Sequence, residues 1–503
     1  MNLIPMSSLR KLRRCLIPSV ILGLAFALNS MVAAPPNIIL IMSDDQGWGD
    51  VGYNENPIVK TPQLDAMARA GVRLDRFYSS APVCSPTRAS ALTGRHSSRF
   101  GIQWANDGRL KPEEATLAEA LHEVGYRSGH FGKWHVGTMT ETGEDGYRGG
   151  EGNQYYSPPW ENGFDVCFSN EIGGPTYNPM VWGNGEYGGP DYGYFMQRPV
   201  AKGETTLTPG VTAWPAHFWT GPGETVGADE LAGDTSRIIM DHALDFIDTE
   251  AKEKTPFLAV VWFFAPHTPI AAGDEDREPY LDLSMEEQHW YGCLTAMDQQ
   301  VGRLRARLRE LEIADDTLVW FCSDNGPSWV HDYNSAGPFR GKKGTLYEGG
   351  LRVPAVVEWP AGLPTASEVD VPISTSDFYP TLLKIAGAKP AKQPMPIDGI
   401  DVLPILRGEV AGRPSPIAFQ SPRRTGAGWE MDTETRQQAL IGNQYKLISV
   451  DEGKTYSLYD LLADPAEMID VANRQPVITG QMKAYLEQWI DSCALSLTGH
   501  DYR

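Results

Sequence analysis

A chain of 503 residues, 41% hydrophobic and 21% charged, can bury a large core plus a smaller partner, which excludes an intrinsically disordered polymer. Its formal net charge of −21 argues against nucleic-acid binding, and an anionic substrate would need a local cationic pocket to overcome the global field. The six cysteines, Cys15, Cys84, Cys167, Cys293, Cys322 and Cys493, follow no zinc or disulfide spacing.

Residues 1–34 read as a secretory signal peptide. Arg10, Lys11, Arg13 and Arg14 precede the apolar run Leu16 to Leu28, and Val32-Ala33-Ala34 offers a cleavage site. The run is short for a membrane span, so the expectation is export to the periplasm or beyond, with no stable membrane span. Next comes Asn37 to Met42, a continuous apolar run that suits a strand buried on both faces. Helical spacing follows at Pro62 to Gly71, Thr116 to Val124, Thr235 to Thr249 and Met285 to Leu311. Further apolar strands are expected at Phe257 to Phe264, Thr317 to Cys322 and Val353 to Trp359. The alternation predicts an α/β fold: a large mixed, mostly parallel sheet sandwiched by helices.

Residues 35–404 read as the catalytic domain. Within them, 138–230 form an insertion rich in Gly, Pro and aromatic residues (Tyr155, Tyr156, Trp160, Tyr177, Trp182, Trp214, Trp219), an ordered surface suited to stacking on sugars. Residues 405–503 read as a smaller C-terminal α+β subdomain, with a hairpin at Arg436 to Ile448 and a terminal helix at Val477 to Asp491.

Five clusters carry chemistry. Asp44-Asp45 and Asp324-Asn325 each directly follow a buried strand, and a parallel sheet collects ligands at such ends. Four oxygen donors in one place repel unless a cation lies between them, and a set without His or Cys suits calcium or magnesium more than zinc. In Cys84-Ser85-Pro86-Thr87-Arg88, Pro86 suits the first turn of a helix. Cys84 would start that helix, where the dipole lowers a thiol pKa, and Arg88 would face the same spot one turn on. On an extended segment Lys133 and His135 share a face and Trp134 points away, which joins a cation to a titratable base. His267 sits between Pro266 and Pro269 at a strand end, and the glycines around Lys343 let backbone approach a ligand closely. His217, His289 and His331 are further candidates for lining the pocket.

From Asn37 to about Asp470 these clusters, in this order, resemble the type I sulfatases of the alkaline-phosphatase superfamily. The resemblance implies that a formylglycine-generating maturation enzyme oxidises Cys84 to formylglycine. It implies one calcium ion held by Asp44, Asp45, Asp324 and Asn325 together with the modified Cys84. It assigns sulfate contacts to Lys133, His267 and Lys343, and support of the modified residue to Arg88 and His135. The implied reaction is attack of the hydrated aldehyde on sulfur, protonation of the leaving alcohol by His267 or Lys343, and release of sulfate with His135 as base. With the signal segment and the aromatic insertion, the expected substrates are sulfated carbohydrates or polysaccharides. Two alternatives stand: a phosphodiester or phosphonate monoester hydrolase of the same superfamily, which usually places Asp-His where this chain has Asp324-Asn325, and a non-catalytic sulfated-glycan-binding protein with unmodified Cys84.

Overall fold

The computed structural model describes residues 35–142, 145, 148, 154–179, 181–183, 211–214, 216–227, 230–329, 333–424 and 431–502. The expected signal segment 1–34, the middle of the 138–230 insertion and His331 lie outside the described residues.

The apolar run after Pro36 forms β1 (Asn37–Ser43) in the middle of a ten-stranded sheet. Nine more strands complete it: β2 (Val72–Leu74), β3 (Arg127–Lys133), β4 (Val166–Asn170), β5 (Trp219–Gly221), β6 (Glu224–Thr225), β7 (Phe257–Trp262), β8 (Thr317–Ser323), β9 (Ala355–Glu358) and β10 (Ser367–Val369). Their order across the sheet is β10-β2-β9-β8-β1-β7-β3-β4-β5-β6. The central strands β8, β1, β7, β3 and β4 are parallel. The strand expected at 353–359 is β9, and it runs antiparallel to β8. The sheet is therefore large, mixed and mostly parallel, as expected.

Helices cover both faces: α1 (Pro62–Ala70), α2 (Cys84–Thr93), α3 (Leu117–His122), α4 (Thr235–Glu253), α5 (Met285–Glu310), the short α6 (Glu348–Leu351) and α7 (Phe378–Ala386). The period of two along β1 divides the core. Ile38, Leu40 and Met42 join Ala89, Leu92, Leu121 and Leu382 on one side, from α2, α3 and α7. Ile39 and Ile41 join Leu64, Met67, Ile239, Phe246 and Met297 on the other, from α1, α4 and α5. A strand covered on both faces cannot alternate apolar with polar residues, hence the uninterrupted Ile-Ile-Leu-Ile-Met run. Side-chain caps set where the helices begin: Ser284 and Glu287 form a reciprocal capping box before α5, and Asp234 accepts from the Arg237 amide at the start of α4.

The C-terminal part is an antiparallel meander of β11 (Ile417–Arg424), β12 (Met431–Ile441), β13 (Tyr445–Ser449) and β14 (Ser457–Asp460), followed by α8 (Pro476–Leu497). The expected hairpin is the β12–β13 pair. One face of the meander (Leu440, Leu447, Leu458) packs on Leu486 of α8. The other (Phe419, Ala439, Ile441, Ile448) packs on Tyr78, Leu346 and Leu351, so it covers the segment that carries Lys343. Residues Pro35–Arg503 form one compact unit. Among the described residues, no helix is long and apolar enough to cross a membrane.

Candidate active site

Strands β1 and β8 end side by side, with Ser43 paired to Ser323. The turns that follow bring the two acidic pairs together. The Asp45 amide donates to Asp324 Oδ1 (3.1 Å), and Asn325 Nδ2 donates to Asp45 Oδ1 (2.7 Å). Asp45 has φ 64°, a left-handed conformation that Asp tolerates better than most residues. Helix α2 begins at Cys84, and Asp44, Cys84 and Asp324 each place one possible ligand atom within 4.8 Å of the others. Asp44, Asp45, Cys84, Asp324 and Asn325 are all buried.

Three cations converge on this cluster. Lys133, at the carboxyl end of β3, donates from Nζ to Asp44 Oδ2 at 2.6 Å. Lys343 donates from Nζ to Asp45 Oδ1, also at 2.6 Å, from a loop whose Gly341 and Gly344 have φ near 84°. Arg88 donates from Nε and Nη2 to Asp324 Oδ2 (3.0 and 2.7 Å) and from Nη1 to the Lys133 carbonyl (3.0 Å). His267 stands at the rim: its side chain is 26% exposed, with Nε2 at 3.8 Å from Asp45 Oδ2. Its Nδ1 lies 2.6 Å from the Thr268 carbonyl, which only accepts, so Nδ1 carries the proton in the neutral ring. Lys133, Lys343 and Arg88 thus meet the acidic pairs directly, and His267 lies beside them.

Burial opposes ionisation of Asp44, but Lys133, His267, Arg88 and Lys343 outweigh it and hold the carboxyl well below its usual range. Burial and the charge of Asp44 push Asp324 up to about 7, against Arg88. Asp44 Oδ1 and Asn325 Oδ1 are buried acceptors that receive no hydrogen bond. Leaving such atoms unsatisfied costs about 1–3 kcal/mol each. A divalent cation of the calcium or magnesium class would satisfy both, and the donor set fits it. One expectation is overturned. Burial, helped by the charges of Asp44 and Asp324, pushes the Cys84 thiol pKa up rather than down, against the pull of Lys133 and Lys343.

The alternating-face argument for Lys133 and His135 also needs correction. Strand β3 ends at Lys133, and His135 has φ 60°, so no regular alternation reaches it. His135 is instead held by residues the sequence reading missed. Its Nε2 lies 2.6 Å from Asn106 Oδ1. Arg148 Nη2 donates to the His135 carbonyl (2.8 Å), while Arg148 Nη1 donates to Glu171 Oε1 (3.1 Å). Burial, then Lys133 and Arg148, hold His135 well below the usual imidazole range, so it is neutral. Asn106 and Arg148 lie in segments without periodicity, and nothing but their polarity could have marked them.

Two other candidate histidines have partners outside the cluster. His217 accompanies Asp145 (3.0 Å), and His289 is buried, with Nδ1 accepting from the Ala272 amide. Trp160 and Trp219 of the insertion pack partly buried against the core, and Trp214 Nε1 donates to the Gly173 carbonyl. The Trp182 side chain lies outside the described residues.

The family model described as Sulfatase matches residues 36–388. The chain belongs to the sulfatase family. A second model, N-sulphoglucosamine sulphohydrolase, C-terminal, matches residues 341–492. Steryl-sulfatase of Mus musculus is 33% identical over 438 residues, covering 75% of this chain and 65% of that protein. N-acetylgalactosamine-6-sulfatase of Canis lupus familiaris is 32% identical over 397 residues, covering 76% and 68%. The chain thus spans about two-thirds of the length of these relatives. Among solved structures, Ps i-CgsB superposes with a TM-score of 0.71 at 25% identity, over 90% of this chain and 92% of that one. The phosphonate monoester hydrolase of Agrobacterium radiobacter shares the fold, with a TM-score of 0.60 at 20% identity over 92% and 96%. This sulfatase is of type I, the formylglycine-dependent class, and its mixed sheet with a smaller C-terminal α+β part is the fold of the alkaline-phosphatase superfamily.

Proposed function

We propose that this sulfatase hydrolyses sulfate esters of carbohydrates, with Cys84 as the residue converted to formylglycine and with calcium held by Asp44, Asp45, Asp324, Asn325 and the modified Cys84. The observation that carries the reading is the buried meeting of Cys84 with two acidic pairs, two lysines and an arginine. When bound, the cation neutralises the carboxylates and polarises a sulfate oxygen. The protein's own groups do the rest. Lys133 and Lys343 present ammonium groups to the anionic ester where charge develops. Arg88 fixes Asp324 and ties the helix bearing Cys84 to the end of β3. When protonated on both nitrogens, His267 at the rim would give a proton from Nε2 to a departing alcohol, and neutral His135 would take one.

Two names support a carbohydrate substrate: N-acetylgalactosamine-6-sulfatase among the relatives, and Ps i-CgsB, whose structure is also known in complex with k-i-k-neocarrahexaose. Steryl-sulfatase favours a second reading, a sulfated lipid. We assign residues 1–34 to export, residues 35–404 and 405–503 to catalytic and C-terminal parts, and a maturation enzyme to the conversion of Cys84.

The test has two steps. The peptide containing Cys84, from protein made with a maturation enzyme, is weighed; conversion lowers its mass by about 18 Da. The converted protein is then offered sulfated mono- and oligosaccharides beside aryl and steryl sulfates. Release of sulfate from the sugars is expected. Release from steryl sulfate alone would move the assignment to lipids, and turnover by protein with unmodified Cys84 would remove the formylglycine mechanism.

A further inference from the structure

Asn106 belongs to no motif and to no regular element, yet it is the side chain that meets His135. Its Oδ1 lies 2.6 Å from His135 Nε2. An amide oxygen only accepts hydrogen bonds, so the proton of the neutral imidazole must sit on Nε2. The other ring nitrogen, Nδ1, is buried and makes no hydrogen bond. Its lone pair is the one acceptor on that ring left for a group arriving in the pocket. The Asn106 backbone N–H also donates to Ser85 Oγ (3.3 Å), which ties the same residue to the neighbour of Cys84. Asn106 has φ 61°, a left-handed conformation that Asn and Gly adopt at small cost. On the far side, the Arg148–Glu171 pair holds the His135 backbone, so ring and main chain are fixed by separate partners.

We propose that Asn106 is a positioning residue that locks His135 in the Nε2–H tautomer and so reserves Nδ1 as the proton acceptor of the sulfatase reaction. The role of His135 rests on the function proposed above; the tautomer itself does not. The backbone geometry supplies the variants. Asn106→Gly removes the amide and keeps the left-handed conformation accessible, and Asn106→Asp keeps an acceptor oxygen at the same place.

The tautomer is read first, by nitrogen NMR of protein with labelled histidine and unconverted Cys84. The His135 signals are assigned by their loss in His135→Gln. The wild type is expected to show the Nε2–H form, Asn106→Gly a mixture or the Nδ1–H form, and Asn106→Asp the Nε2–H form again. In converted protein, Asn106→Gly is expected to lower kcat by about tenfold or more with KM within about twofold, and Asn106→Asp to recover most of that loss. An Nδ1–H ring in the wild type, or an unchanged tautomer in Asn106→Gly, overturns the proposal. So does a shifted tautomer with unchanged kcat. A wild type that releases no sulfate from any ester would count against the proposed function and leave the tautomer result standing.

Discussion

Lys446 on β13 is wholly buried between two carboxylates, with Nζ at 3.0 Å from Glu348 Oε1 and 2.9 Å from Glu467 Oε1. Burial opposes its charge, but Glu467 and Glu348 outweigh that and hold the ammonium form. Tyr78 donates its hydroxyl to Glu348 Oε2 (2.9 Å), so the cluster joins the C-terminal meander to α6 and to the segment that follows β2. Lys446→Met would remove the cation between the two buried carboxylates and leave Arg352, 3.7 Å from Glu348 Oε2, beside one of them. Breaking a buried pair from one side costs about 3–5 kcal/mol. For a unit of this size the entropy of unfolding is about 1 kcal/mol/K, so Tm should fall by about 3–5 °C at pH 8. The pH dependence tests the cause. Burial already pushes Glu467 up to about 7. Without Lys446 the Glu467 carboxyl titrates higher still in the folded than in the unfolded chain, so its penalty is present at high pH and relieved as pH falls through the folded value. Calorimetry at pH 5.5 should therefore find most of the loss gone. The triple variant Lys446→Met, Glu348→Gln, Glu467→Gln should recover stability at pH 8. An equal loss for the single variant at both pH values would refute the electrostatic argument and point to packing alone.

Two further outcomes are expected. Chelation should lower Tm, and calcium at one hundred times its Kd should restore about 2.7 kcal/mol, or about 3 °C; a Tm indifferent to chelator would argue against a structural cation at Asp44 and Asp324. Buried His96 is lowered to about 4 by burial, against Asp398, so its neutral form stabilises the fold above pH 6.5 and up to about 3 kcal/mol is lost as pH falls toward 4. His96→Asn, which keeps an acceptor for the Ser98 amide, should flatten that acid limb in a denaturant titration, and superimposable limbs would exclude the histidine as its cause.

The legible parts of this fold are those where one local rule governs. A strand buried on both faces must be uniformly apolar, so β1, β7 and β8 stood out, and the acidic pairs at the ends of β1 and β8 became neighbours once the sheet was taken as parallel. Cys84 and Pro86 marked the start of α2 for a similar reason. Less legible was the neighbourhood of His135, which depends on a left-handed residue, a loop asparagine and an arginine from the insertion. The thiol pKa was misjudged because the dipole is a local property, whereas burial is set by the whole fold.

The Lys343 loop is finished by a residue from far along the chain. Gln437 on β12 donates from Nε2 to the Gly344 carbonyl (2.8 Å) and accepts from the Leu346 amide at 3.2 Å. During synthesis, then, Cys84 emerges long before the strand that clamps one of its two lysines, and a ribosome-bound chain holds an incomplete pocket. In the folded chain Cys84 is 1% exposed and out of reach of another enzyme's active site. The maturation enzyme proposed above for Cys84 would therefore have to act before the chain folds around that residue.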